Sequence, residues 1–261
     1  MLVGNQRQGR SNMSPVQNAR INSADHPSAP FLAPLRSSKY VARVALDPET
    51  RRDAFRLRYE SYLYFGYISP NDDELFSDEY DSLPNSRTVV LYRFGVPIGS
   101  VRTCLLTAES GHGGASPASH AFPEEVQRIL AGDRPGGHGG FRAVETTRLV
   151  RSPSVLNNTG LIFMLYRMAG YIGITADAEI LLACVREEHV SFYQRLGYSS
   201  KTELRPYPGL HCPMLLMACD RERYDVTRLT YPILDPFAGA TGPLESFLSG
   251  EPVALALVAP Q

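Results

Sequence analysis

At 261 residues the chain is long enough for one sizeable domain with tails, and a composition of 43% hydrophobic and 20% charged residues suits a globular protein with a buried core. A net charge of −1 offers no basic surplus, which argues against a general nucleic-acid or anionic-membrane binder. The four cysteines, Cys104, Cys184, Cys212 and Cys219, lie in apolar, strand-like surroundings without C-x-x-C spacing. They are expected as reduced core residues of a cytoplasmic protein, not as metal ligands or disulfides.

In chain order, residues 1–37 are rich in Gln, Asn, Ser, Pro and Gly with no hydrophobic period, and are expected to form a disordered tail without the layout of a secretory signal. A domain is expected over 38–220. Its first strand, 40–46, alternates, and Asp47-Pro48 then opens a helix, Asp as cap and Pro at the first helical position. Phe55, Tyr59 and Tyr62 recur there at helical spacing, with Arg58 beside them. A polar loop over 69–81 carries Asp78 and Asp81, and strands at 88–93 and 98–106 form a hairpin turning through 94–97.

Residues 108–140, with two Gly-His-Gly-Gly stretches around a short amphipathic helix at 123–130, are expected to be a mobile insertion usable as a lid. A strand at 143–150, a helix with Leu161, Met164, Leu165, Met168 and Ile172 on one face, an apolar strand at 180–185 and a helix at 187–196 follow. Strands near 201–204 and 214–219 close the sheet, and 221–261 is expected as an extension wrapped on the surface or partly disordered. The apolar run 161–184 carries Arg167, Asp177 and Glu179, so no membrane span is expected. Six histidines show no i, i+4 pairing, so neither a metal site nor a bound cofactor is expected.

This element order resembles the GNAT N-acyltransferase fold, and Phe192-Tyr193-x-x-Leu196-Gly197-Tyr198 is similar to a segment of that family. The resemblance implies an α+β architecture, an α/β/α sandwich whose mixed central sheet splays between strands 4 and 5. A closer resemblance, over residues 40–220, is to the branch holding the acyl-homoserine-lactone synthases and the FeeM-type N-acyl amino acid synthases. It rests on Arg58 four positions before Tyr62, on Asp78-Glu79-Tyr80-Asp81, on Gly99 to Arg102 three residues later, and on Glu145-Thr146-Thr147-Arg148. The lactone synthases carry a Trp after the helical Arg, and a Glu two residues before the first loop Asp. This chain has no Trp, and Phe76 stands at the second place. Both departures tilt the reading from S-adenosylmethionine to an ordinary amino acid, with an aromatic one as an option.

Where acetyl-CoA enzymes have a basic, Gly-rich loop whose N–H groups hold pyrophosphate, this chain reads Asn157-Asn158-Thr159-Gly160-Leu161-Ile162. The resemblance therefore implies a fatty acyl group delivered on acyl carrier protein, with acyl-CoA as the alternative donor. It leaves a lactone synthase, a plain acetyl-CoA acetyltransferase and an inactive binding scaffold as rivals. Amide formation from a thioester needs a neutral amine, a stabilised oxyanion and a proton for the thiolate. Glu145 is the candidate base, directly or through a water, against a structural carboxylate paired with Arg102 or Arg148. Tyr193 stands where many GNAT enzymes keep a tyrosine that protonates the thiolate, with a buried core aromatic as the alternative.

Arg102 and Arg148 are candidates for the acceptor carboxylate or for ordering the acidic loop, because guanidinium matches carboxylate in a two-pronged pair. Asp78 and Asp81 are expected to pair with them and order the loop, or to hold the acceptor's ammonium. Arg58 is expected among the substrate-binding residues, and a backbone N–H near Thr147 is expected to hold the oxyanion. Met164 and Met168 are expected in the core, with an acyl-pocket role as the alternative. On an extended strand Glu145 and Arg148 point to opposite faces, so both reach one cleft only if a bulge intervenes.

Overall fold

Two short local signals set the start of the fold. Asp47 accepts the Thr50 N–H (2.8 Å) and the Thr50 hydroxyl (2.7 Å), which satisfies a free amide of helix α1, Pro48–Tyr64, entered from strand β1, Tyr40–Val44. Strands β2, Ser86–Arg93, and β3, Val96–Thr107, are joined by Phe94 (φ 50°) and Gly95 (φ 80°), a two-residue turn tighter than the expected 94–97. The computed structural model describes residues 39–108, 114–132, 140–240 and 242–258. The expected tail 1–37 and the glycine-rich stretches 109–113 and 133–139 lie outside these.

The remaining elements are α2 (Pro117–Ala121), α3 (Pro123–Leu130), β4 (Arg142–Arg151), α4 (Gly160–Thr175), β5 (Ile180–Val185) and α5 (Val190–Arg195). After them come β6 (Ser199–Ser200), β7 (Arg205–Tyr207), β8 (Leu210–Asp220), α6 (Arg221–Thr230) and β9 (Val253–Leu255). The sheet runs β6-β8-β5-β4-β3-β2-β1-β9, with β7 paired to β8. Among the described residues, only β4 and β5 are parallel neighbours. This is the mixed sheet of a GNAT-type fold, covered on one face by α1–α3 and on the other by α4–α6. Ala54 and Leu57 pack with Val90 on the first face, and Phe122 and Val126 with Ala143 and Leu182. Tyr166, Leu196 and Tyr224 pack with Leu181 and Ala183 on the second.

Three expectations change. The strand near 201–204 does not form, since that stretch gives single bonds to Leu216 instead of a ladder: Lys201 N–H to the Leu216 carbonyl (2.8 Å) and Leu216 N–H to the Thr202 hydroxyl (2.9 Å). The described part of the insertion forms the expected helix at 123–130, α3, and adds α2, and the two bury Ala118, Phe122, Val126 and Leu130 against the sheet instead of standing clear of it. Residues 221–258 are built into the fold instead of lying on it: β9 extends the sheet beside β1, and Phe247 is fully buried. The buried Arg167 holds this segment by donating to the carbonyls of Ala238 and Ala256. Among the described residues, no helix is long and apolar enough to cross a membrane.

Candidate active site

The site forms where β4 and β5 part. Their parallel pairing covers only residues 143–146 against 180–183, although β4 runs on to Arg151 beside β3 and β5 to Val185 beside β8. Each strand keeps its outer partner, so the seam between them opens into a cavity of about 810 Å³. Thr146 to Arg151 line one side of it, Cys184 to Arg186 the other, and α1, α4 and α5 close it. That volume is in the range of sites that enclose a small organic ligand.

The bulge needed to bring Glu145 and Arg148 to one face is present. Between Ser100 and Arg102 of β3 the register on β4 steps from Val150 to Thr147, one residue more than β3 supplies. Arg148 takes up the excess at φ 52°, a left-handed conformation that costs an L residue roughly 1–2 kcal/mol. The parity of β4 then flips: Val150 packs toward α1 while Leu149 packs toward α4, and Arg148 joins Glu145 and Thr147 on the α1 face.

The Asp78–Asp81 spacing is that of a reciprocal cap on a short 3-10 turn. Asp78 accepts the Tyr80 N–H (3.1 Å) and Asp81 accepts the Asp78 N–H (3.0 Å), which fixes both carboxylates toward the sheet. Three buried arginines meet them. Arg58 donates to both oxygens of Asp81 (2.8 Å each) and to the Thr88 hydroxyl (3.1 Å). Arg102 bridges Asp78 and Asp81, and Arg148 donates to Asp78 (2.8 and 3.2 Å) and to the Pro208 carbonyl (3.1 Å). Burial alone raises the Asp78 pKa, but the Arg102 hydrogen bonds and the charges of Arg102 and Arg148 outweigh it and hold the carboxyl below its usual range.

Arg102 is fully buried, has spent its charge inside this network, and is not on the cavity wall. Arg148 is on the wall, lies over the rings of Phe76 (5.0 Å), Tyr207 (5.6 Å) and Tyr62 (5.9 Å), and keeps its Nη1 without a partner. Three guanidinium groups against two carboxylates leave one positive charge in excess beside the cavity.

Glu145 is fully buried and is paired with neither arginine. Its Oε2 accepts the Ala118 N–H at the start of α2 (3.0 Å) and its Oε1 accepts the Tyr207 hydroxyl (2.9 Å). Tyr207 and Thr147, 3.2 Å apart through their hydroxyls, stand between it and the cavity. Tyr193 is on the wall from α5, and its phenol is pushed up to about 12 by burial and the Cys184 charge. Met164 and Met168, by contrast, are buried in the core with Leu161 and Leu165 and do not touch the cavity. Their helix presents Ile162, Phe163 and Tyr166 to it instead, because α4 is apolar on every side and pattern alone does not choose the face.

Sequence reasoning missed Tyr207. It falls in Arg205-Pro206-Tyr207-Pro208-Gly209, between two expected strands, and the one available signal is an aromatic held between two prolines. Among the described residues lining the cavity there are four arginines, Arg148, Arg151, Arg186 and Arg195, and no Asp or Glu.

A family model described as N-acyl amino acid synthase FeeM matches residues 53–220, well over half of the chain. No curated protein matches it in sequence. Among solved structures it is similar to FeeM, an N-acyl amino acid synthase from uncultured soil microbes, with a TM-score of 0.58 at 17% identity over 73% of this chain and 96% of that one. BjaI, a CoA-dependent acyl-homoserine lactone synthase, gives 0.53 at 14% over 74% and 86%. The AHL synthase LasI gives 0.50 at 15% over 69% and 90%. At these identities the neighbours show the fold, and the family match adds descent. With its matched region enclosing the parted strands and the arginine–aspartate network, the chain belongs to the FeeM N-acyl amino acid synthase family and is an N-acyltransferase.

Proposed function

We propose that the enzyme transfers a long-chain fatty acyl group from acyl carrier protein to the amine of an amino acid, giving an N-acyl amino acid. The observation that carries this reading is the cavity at the parted strands. It is lined largely by apolar and aromatic side chains, carries arginines but no carboxylate among the described residues, and has on its wall the Arg148 guanidinium, whose buried Nη1 has no hydrogen-bond partner. Such a wall suits an acyl chain beside an acceptor carboxylate. A carrier-protein donor is favoured over CoA by the start of α4. Thr159 makes no side-chain cap, and the N–H groups of Leu161 and Ile162 turn back to the carbonyls of Asn158 (3.3 Å) and Thr159 (3.1 Å) instead of facing a pyrophosphate. Four free cysteines suit the cytoplasm.

In this reading the acceptor carboxylate sits on Arg148, so its amine faces Thr147 and Tyr207. The amine attacks the thioester carbonyl, and backbone N–H groups released where β4 leaves β5 steady the oxyanion. Glu145 takes up the proton lost by nitrogen, and Tyr193 protonates sulfur as the C–S bond breaks. Transfer is direct: burial and the Glu145 charge push the Cys184 thiol well up, which keeps it from acting as a thiolate.

Incubating the protein with acyl carrier thioester or acyl-CoA, plus an amino-acid mixture or S-adenosylmethionine, tests the reading by product mass. An N-acyl amino acid is expected, and an acyl-homoserine lactone or an acetylated product overturns it. Tyr193→Phe is expected to lower kcat only about tenfold, the worth of one hydrogen bond, because a thiolate is a good leaving group. Single-turnover rates measure it.

A further inference from the structure

Glu145 is fully buried, does not line the cavity, and has both oxygens occupied, one by a backbone amide and one by the Tyr207 hydroxyl. A base in that position cannot meet the amine itself. Tyr207 touches both worlds: its hydroxyl lies 2.9 Å from Glu145 and its side chain lines the cavity. From these contacts we infer that Tyr207 is a catalytic residue, the relay through which the proton of the attacking amine reaches Glu145. The inference rests on the N-acyl amino acid reading. As the C–N bond forms, a nitrogen proton passes to the Tyr207 oxygen while the Tyr207 proton passes to Glu145 Oε1. The phenol is neutral before and after, and Glu145 ends protonated. That proton balances the one Tyr193 gives to sulfur, and exchange through solvent restores both groups.

Three features hold the relay in place. The Arg148 guanidinium lies over the Tyr207 ring (5.6 Å), Arg148 also binds the Pro208 carbonyl (3.1 Å), and the Thr147 hydroxyl is 3.2 Å from the phenol oxygen. Burial, and then the charges of Glu145 and Cys184, push the Tyr207 pKa well up, so it passes a proton on but does not serve as a phenolate base. The imidazole on the wall, His189, is already engaged. Its Nε2 is 2.7 Å from Arg186 Nη2, and because arginine only donates, that lone pair is occupied. The groups facing Tyr207 are Glu145, Thr147, Cys184 and Arg148, and those facing Glu145 also include Cys104 and Tyr80.

The test uses the full-length enzyme with acyl carrier thioester and its amino-acid acceptor. Tyr207→Phe is expected to lower kcat about 10²-fold while the acceptor KM changes little, since general acid–base catalysis contributes at least that much. Its rate should also lose the levelling-off of the wild-type pH profile and climb steadily with hydroxide, a change that a merely structural tyrosine would not cause. A Tyr207→Phe enzyme with wild-type kcat and profile overturns the relay alone, whereas a wild-type enzyme that forms no amide from an amino acid overturns the parent reading as well. Should the variant fail to fold, a proton inventory on the Tyr193→Phe enzyme in mixed H₂O and D₂O decides, because there the Tyr193 proton no longer contributes. A curved plot, with two protons in flight, supports the relay, and a straight one overturns it.

Discussion

Asp78→Ala is expected to lower the free energy of unfolding by about 3–5 kcal/mol, the cost typical of stripping one partner from a buried ion pair. The reason is the number of charges that lean on this one side chain. Arg102 gives Asp78 two of its hydrogen bonds, Arg148 gives two more, and both guanidinium groups are nearly inaccessible to water. Without Asp78, Arg102 keeps only Asp81 and Arg148 keeps only a carbonyl, and the strained φ of Arg148 loses the contact that holds it. A fall in the urea midpoint at constant slope measures the effect. The pH dependence carries the same signature. Asp78 has a depressed pKa when folded, so its contribution is complete at neutral pH, begins to fade below roughly pH 4 where unfolded carboxyls titrate, and is lost as pH falls through the folded value. Asp78→Asn should flatten that acid limb. A limb unchanged in slope would show that other carboxylates drive acid unfolding.

Glu145→Gln is expected to leave a folded protein whose kcat for amide formation is lower by about 10²–10⁴-fold, with little change in acceptor KM. Glutamine has the same shape and replaces both contacts: its oxygen accepts the Ala118 N–H and its amide donates to the Tyr207 oxygen. What it cannot do is take up a proton. A purely structural Glu145 predicts the reverse, a lower melting temperature with kcat retained. If Glu145 and Tyr207 act on one proton, as proposed, the double variant Glu145→Gln/Tyr207→Phe should be no slower than the slower single variant, whereas independent roles would multiply.

Much of this site was legible in the residues. The pairing of Arg102 and Arg148 with Asp78 and Asp81 follows from guanidinium and carboxylate being too costly to bury singly, so arginines on two strands call for an acidic loop between them, whereas the part of Arg58 as the partner of Asp81 came from the structure. The opposed facings of Glu145 and Arg148 on one extended strand likewise meant that both could reach one cleft only through a bulge, which the strand has. Tyr207 was not legible, because nothing local marks a three-residue strand, and its role exists only through a carboxylate 62 positions earlier in the chain. The Ala118 amide is beyond sequence reasoning for the same reason: every residue but proline has one.

By itself the amino-acid order determined the succession of the main elements from β1 to α5, the cap at Asp47, the acidic turn and the set of charged groups that had to meet. Those depend on spacing, backbone preference and the cost of isolated charge, which act over a few residues or do not depend on path. Tertiary structure decided where β4 and β5 separate, which face of the uniformly apolar α4 meets the cavity, and that Glu145 stands behind the wall with Tyr207 in front. It also decided that Val253–Leu255 closes the sheet edge beside β1. Each of these is a long-range pairing, won by competition among distant surfaces that no local window contains.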